Sequence, residues 1–355
     1  MAKRKKRERD GLIYLDPAKV ARIALRLGLG KTALADNAGV SRNTVGKTYS
    51  GKGIFASSAL LIAEALGVEV DSLVDPAHVK EGGGDSEPTT VGEWTVAKHV
   101  GPWLTASNGL QFRVCDMRHR FVEGRRGRGK WYDLLGRDYE KWKDHLVRHA
   151  EVCERIGTHR NIAQNVSALP GSEDGSWWVV DRWTDGETLA NLLNDGPYPS
   201  SRLPRLMSDI AEGMLALHNA NIVFRELSPS RVQVIKDDER AILTDFELAK
   251  LTDGAPTVST DWPDDPYQAP EVASGSTTEK SDLYSWARIF LHAATGNLPP
   301  KGMEQELLAS IKLPKAVWKA VSTSLSPGPS DRPQNVNAIL RPLRTWSKST
   351  KGSES

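Results

Sequence analysis

Two cysteines, Cys115 and Cys153, are too few in 355 residues for a disulfide framework or a tetrathiolate zinc site, and both read as small buried hydrophobes. No run approaches the ~18 apolar residues that a bilayer-spanning helix needs. Nor is there a large charge of one sign, since 47 Lys and Arg against 45 Asp and Glu leave a formal net charge of +2. The chain is therefore expected to be cytoplasmic, with no membrane partner. Leu12-Ile13-Tyr14-Leu15 is far shorter than the about 7–15 apolar residues at the heart of a secretory signal. Tryptophan is missing before residue 94, and all eleven lie between Trp94 and Trp346. A chain of this length is expected to hold two domains, each able to bury a core.

One charge excess is local. Lys3, Arg4, Lys5, Lys6, Arg7 and Arg9 form a basic tail over residues 1–14 that suits a polyanion. Short amphipathic patterns separated by glycines follow. Asp16 is placed to cap a helix with Pro17 at its first position, and Val20, Ile23, Ala24 and Leu27 share one face. Leu34, Ala35 and Ala38 line the inside of the next helix, Gly39 permits a tight turn, and Ser41 caps a further helix. That spacing resembles the Cro and phage-repressor family of helix-turn-helix domains, through residues 57–66 and 70–73. The resemblance implies an all-α DNA-binding domain over residues 15–78, with a double-stranded operator and a second copy of the chain as partners. By position, Arg42, Asn43, Thr44 and Lys47 are the candidate base readers, and Lys31, Thr32, Ser41 and Lys52 the candidate phosphate contacts.

Residues 79–92, with their Glu-Gly-Gly-Gly-Asp-Ser-Glu-Pro run, read as a flexible linker. Beyond it, aromatic and β-branched segments at Trp94, Phe112, residues 130–135 and Trp177 predict strands, and residues 139–156 predict a helix. The chain then turns mostly helical, with residues 203–217 and 283–295 the clearest. A strand-rich small lobe over residues 93–184 and a helical large lobe over residues 185–346 make an α+β pattern. Residues 347–355 read as a disordered tail. His145 and His149 are four apart and are read as a charged helix face without a metal motif.

In order, the second segment carries His159-Arg160-Asn161-Ile162, Val180-Asp181-Arg182-Trp183, Leu217-His218, Arg225-Glu226-Leu227, Asp245-Phe246, Ala269-Pro270-Glu271, Ser281-Asp282 and Asp331-Arg332-Pro333. This ordered set resembles the protein kinase fold over residues 93–346. The resemblance places Glu271 and Arg332 as an ion pair and Asp282 at the start of a buried helix. It also exposes departures. The phosphate-binding loop at residues 99–109 has only Gly101 and Gly109, with Pro102 and Trp103 between them. Lys130 stands at the start of a predicted strand instead of inside it. Glu226 replaces the family's catalytic-loop Asp, Ser228 its Lys, and Arg231 its metal-binding Asn, while Glu247 follows Asp245-Phe246 where the family has Gly and is read as solvent-facing. A guanidinium has no lone pair for Mg²⁺. Arg225 is where the family binds a phosphorylated activation segment, so Asp261, Asp264 and Asp265, or phosphorylated Thr257, Ser259 or Thr260, are its expected partners.

These readings combine into an expectation: a nucleoid-associated transcriptional regulator, a repressor by analogy, whose pseudokinase domain senses a nucleotide, a phosphorylated signal or a protein. No cofactor is expected, with Asp245 the one metal ligand should Mg–ATP bind. The alternative is a divergent Ser/Thr kinase.

Overall fold

The computed structural model describes residues 12–68, 70–75, 90–105, 110–134, 139–171, 175–252 and 265–351. The chain divides into two units, Met1–Glu87 and Pro88–Ser355. In the first, β1 (Leu12–Ile13) leads to α1 (Pro17–Arg26), where the Asp16 carboxylate accepts from the Ala18 and Lys19 N–H groups and proline takes the first position. Then come α2 (Lys31–Asn37), α3 (Arg42–Tyr49), β2 (Ile54–Phe55), α4 (Ala56–Ala65) and α5 (Val70–Leu73). Gly39, at φ +62°, turns the chain between α2 and α3. Val20, Ala24, Leu34, Val45, Ile62 and Leu73 form the buried core. The unit is not all-α as expected: β1 pairs antiparallel with β2, because Ile54-Phe55 is a β-favouring dipeptide that leaves the helical period. The basic tail up to Gly11 lies outside the described residues.

The second unit starts inside the stretch expected to be linker. β3 (Thr90–Val91) pairs with β4 (Trp94–Thr105), and residues 76–89 lie outside the described residues. With β5 (Gln111–His119), β6 (Arg126–Asp133), β7 (Asn165–Pro170) and β8 (Ser176–Arg182), these strands form an antiparallel sheet in the order β3-β4-β5-β6-β8-β7. One apolar cluster holds Trp94, Val96, Met117, Trp178 and Val180. Another joins Tyr132, Leu134, Trp177 and Val179 to Leu146 of α6 (Tyr139–Ile156).

The rest is mainly helical. β9 (Gly186–Thr188) and α7 (Leu189–Asn194) lead to α8 (Leu203–Asn219), then β10 (Ile222–Val223), β11 (Val232–Ile235), β12 (Ala241–Leu243) and β13 (Lys250–Leu251). α9 (Glu279–Thr295), α10 (Glu304–Ala309), α11 (Lys315–Ser324) and α12 (Asn337–Lys351) complete it. α9 starts with a capping box between Thr278 and Ser281, and its buried residues run through consecutive positions from Ser281 to Leu291, as expected of a helix packed on all sides. The tail expected to fray from residue 347 is helical to Lys351, since Leu340, Leu343 and Trp346 keep the apolar period packed on the large core. No helix among the described residues is long and apolar enough to cross a membrane.

Candidate active site

Two short ribbons and a turn bring the large lobe's polar residues together. β10 pairs with β13 and β11 with β12, and a 3-10 turn at Pro229–Arg231 feeds β11. Between β10 and that turn, the backbone N–H groups of Phe224 and Arg225 both donate to the Asp282 carboxylate at 2.9 Å, and His218 Nε2 lies 2.8 Å from it. Asp282 is 1% exposed, so α9 anchors this loop from inside the core. Arg225 (φ +72°) and Asp245 (φ +69°) hold left-handed backbone conformations that cost an L-residue roughly 1–3 kcal/mol. Thr244 offsets part of this at Asp245 by donating its hydroxyl to Asp245 Oδ1 at 3.0 Å and its N–H to Arg231 O.

Lys130 comes from the other lobe. β6 runs from Arg126 to Asp133, so Lys130 is inside the strand and not at its start, and it is 3% exposed. The sequence missed it because Gly127 and Gly129 occupy positions where a strand ordinarily shows apolar side chains. They are glycine for want of room: a Cβ on Gly129 would lie 2.2 Å from Met117 Sδ, and one on Gly127 2.6 Å from Val180 Cγ1. The usable signal was the alternation itself, which puts Arg128 and Lys130 together on the face opposite the glycines.

Lys130 Nζ lies 2.6 Å from Asp245 Oδ1 and 3.4 Å from Glu247 Oε1, and Arg128 Nη1 lies 3.7 Å from Asp245 Oδ1. Arg231 Nη2 donates to Glu226 Oε2 at 2.5 Å, and its Nη1 lies 4.0 Å from Asp245 Oδ2 and 3.6 Å from Glu247 Oε2. The Tyr132 hydroxyl donates to Glu247 Oε1. Glu247 is thus not solvent-facing: it is 5% exposed, turned inward by two cations and a phenol. Ser228 is buried beside this group, its hydroxyl 3.0 Å from that of Ser230.

Three carboxylates and three cations therefore share one buried cleft floor. Burial alone would raise the Asp245 carboxyl, but Lys130, Arg128 and Arg231 hold it well below the usual carboxylate range. Glu247 is lowered too: burial would raise it, and Lys130, His149 and Arg231 together outweigh that. Glu226 goes the other way, because burial pushes its carboxyl up by more than Arg231 pulls it down. Burial opposes charge on Arg231 as well, yet the three carboxylates raise its guanidinium further. Beside this floor lies a cavity of about 230 Å³ bordered by Arg128, Ile162, Trp183, Gln233, Ile242 and Thr244.

Among the described residues, α6 presents no carboxylate to Lys130. It brings His149, fully buried, whose Nδ1 accepts from the Phe246 N–H at 3.1 Å and whose Nε2 lies 2.8 Å from Asp181 Oδ1. With Nδ1 taken by a donor, the ring proton sits on Nε2 and points to Asp181. The imidazole stacks on Phe246 at 5.4 Å. His145 is 5% exposed, so both histidines lie on a buried helix face and not on the solvated one expected.

The resemblance to protein kinases implies a cleft for ATP and Mg²⁺. Asp245 and Glu247 offer hard oxygen ligands of the right chemistry. Glu247 Oε2 is buried without a hydrogen-bond partner, and the cation that faces it is Arg231, whose Nη1 lies 3.6 Å away. Among the described residues no group of three or more His, Cys, Asp or Glu side chains could hold a metal ion, so one here would also need phosphate oxygens, as Mg²⁺ commonly does. In the phosphate-binding stretch, the β4–β5 register slips between Val100 and Leu104, which frees Pro102 from the ladder, and Trp103 leans on Trp131 at 4.9 Å. Residues 106–109, with Gly109, lie outside the described residues.

Arg332 meets Glu271 through two hydrogen bonds of 2.7 and 2.8 Å. Arg225 is 8% exposed, and burial lowers its guanidinium while Glu226 and Asp282 work the other way. Thr257, Ser259, Thr260, Asp261 and Asp264 lie outside the described residues, and Asp265 accepts from the Tyr267 N–H. In the first unit, Ser41 caps α3 by accepting from the Thr44 N–H, and Lys31 sits 4.7 Å over the Tyr49 ring. Thr32, Arg42, Asn43, Lys47 and Lys52 are exposed on its surface.

Residues 134–350 match the family described as Protein kinase domain. The chain is 35% identical over 134 residues to Serine/threonine-protein kinase pkn2 of Myxococcus xanthus, an overlap covering 35% of this chain and 16% of that protein. It is 25% identical over 235 residues to Serine/threonine-protein kinase pkn3 of the same organism, covering 57% and 41%. Serine/threonine-protein kinase C of Synechocystis is 26% identical over 194 residues, covering 52% and 35%. The chain thus spans less than half the length of these relatives. These similarities overturn the expectation of a DNA-binding, helix-turn-helix repressor with an inert sensor domain. The matched region is a kinase domain, its relatives are named as serine/threonine kinases, and they support the alternative reading.

Proposed function

Because the chain belongs to the protein kinase family, we propose that it is a divergent serine/threonine protein kinase, transferring the terminal phosphoryl group of ATP to a serine or threonine hydroxyl. Family membership also replaces the expectation of no cofactor. Bound Mg²⁺ would neutralise phosphate charge, with Asp245 to hold it. The chain's own residues have separable tasks. Lys130 is anchored by Asp245 and Glu247 in a strand, so its ammonium meets a phosphate without reorganising. Glu226 takes the hydroxyl proton, and a carboxyl raised by burial is the better base. His149 ties α6 to the Phe246 backbone and so positions Asp245 next to it.

The observation that carries this reading is the buried 2.6 Å Lys130–Asp245 pair, which joins a small-lobe strand to the start of the activation segment within one cluster that also holds Glu226. The test is phosphate transfer from labelled ATP to a mixed basic protein substrate by the full chain. Lys130→Met should lower the rate by about 10²–10³-fold. Equal transfer by the variant would remove the reading.

A further inference from the structure

We propose that the tip of the β5–β6 hairpin docks on an anionic lipid bilayer, inserting Phe121 and Val122 among the acyl chains while Arg118, Arg120 and Arg125 meet the headgroup phosphates. The inference does not rest on the kinase reading and concerns a surface that the cleft leaves unused. It replaces the expectation of no membrane partner with peripheral contact, for which no spanning helix is needed.

Residues 120–125 are all exposed, Phe121 by 75% and Val122 by 45%. Neither apolar side chain is needed to hold the turn. His119 Nδ1 accepts from the N–H groups of both Phe121 and Val122, at 3.2 and 3.1 Å, and its Nε2 lies 3.3 Å from Glu93 Oε2. Arg125 O accepts from the His119 N–H, Val122 O accepts from the Arg125 N–H, and Gly124 takes φ +74°. A turn fixed by its own backbone thus keeps two adjacent apolar side chains in water, an unfavourable exposure that hydrocarbon removes. The cations beside them are held in place. Arg120 Nη1 donates to Gly92 O at 3.3 Å with its guanidinium 5.3 Å from the Phe121 ring, and Arg125 lies 5.7 Å over the Trp94 ring. Arg118 is exposed one residue before His119. Against these three the tip carries one carboxylate, Glu123, while Glu93 faces His119. Guanidinium matches phosphate bidentately. A projecting tip with apolar side chains ringed by arginine follows the layering of a membrane surface, phosphate outside and hydrocarbon within. A single nucleic-acid strand would stack a base on Phe121 but offer nothing to Val122.

The test is co-sedimentation of the full chain with vesicles of phosphatidylcholine alone and of phosphatidylcholine with phosphatidylserine at about 3:1. The wild type should bind the anionic vesicles. Phe121→Ser combined with Val122→Ser should weaken that binding about tenfold or more. Arg118→Gln, Arg120→Gln and Arg125→Gln together should weaken it about a hundredfold, at about fivefold each. The basic residues Lys3 to Arg9 are attracted to the same vesicles, so insertion is read separately. A polarity-sensitive fluorophore on Val122→Cys should shift to the blue on the anionic vesicles, Cys115 and Cys153 being buried. Binding that the double serine variant leaves unchanged, or a fluorophore whose emission stays as in water, would overturn the proposal. Capture by a polyglutamate peptide without vesicle binding would overturn it too, assigning the tip to an acidic protein. The kinase reading is untouched by any of these outcomes.

Discussion

Replacing Arg332 by Met should destabilise the kinase unit sharply at neutral pH and much less in acid. The Arg332 side chain is fully buried and gives hydrogen bonds to the two Glu271 carboxylate oxygens and to the carbonyls of Ser326, Lys280 and Pro327, at 2.7–2.9 Å. Methionine fills much of the same volume but satisfies none of these acceptors. Breaking a buried pair by removing one partner costs about 3–5 kcal/mol, most of it from the charge left behind. Glu271 supplies the pH dependence. Burial raises its carboxyl, and the hydrogen bonds from Arg332 and Ser281 outweigh that and lower it. Its stabilising contribution is therefore complete above the ordinary carboxylate pKa and is lost as pH falls through the lowered value. In Arg332→Met the orphaned carboxyl protonates readily, so the gap between variant and wild type should narrow below about pH 4. Urea unfolding followed by tryptophan fluorescence reads both, because every tryptophan lies in the second unit. A loss below about 1 kcal/mol at pH 7 would refute the reasoning, since that is the scale of an exposed pair.

Other outcomes follow from the same geometry. The acid limb of kcat/KM should lie above the ordinary glutamate value, because burial raises the Glu226 carboxyl and the base works only when ionised; a limb at or below about 4.3 would count against Glu226 as the base. His149→Leu should lower stability by about 1–3 kcal/mol, as it leaves Asp181 and the Phe246 N–H without their buried partner, and a thermal melt matching wild type would show the contact to be idle. Burial pushes the Cys115 thiol up to about 12, so iodoacetamide at pH 7.5 should leave it unmodified in the native chain and label it after denaturation, as read by mass spectrometry.

The fold of the second unit was legible because its marks are local and ordered: an Ala-Pro-Glu, a Ser-Asp opening a helix, a late Asp-Arg-Pro. Such residues are fixed by backbone contacts, as Asp282 is by two N–H groups, and so their identity survives. Lys130 was not legible, because its strand context depends on bulk delivered from elsewhere, with Met117 and Val180 filling the space over Gly129 and Gly127. Glu247 was misread for a similar reason. A carboxylate beside an apolar residue suggests solvent, and only the meeting of β6 with the segment after β12 reveals the two cations and the phenol that turn it inward. His149 looked like part of a polar helix face since four-residue spacing says which side a residue is on but not what covers that side. The opening of the second unit was misplaced because Thr90-Val91 follows a run with nothing to bury, and only pairing with Trp94 and Thr95 makes it a strand.

The most direct test is phosphoamino-acid analysis of substrate labelled by the full chain with γ-labelled ATP and Mg²⁺, beside Glu226→Gln. Phosphoserine and phosphothreonine are expected, with label lost in the variant. Wild-type label no higher than an enzyme-free blank, or label that persists undiminished in Glu226→Gln, would contradict it.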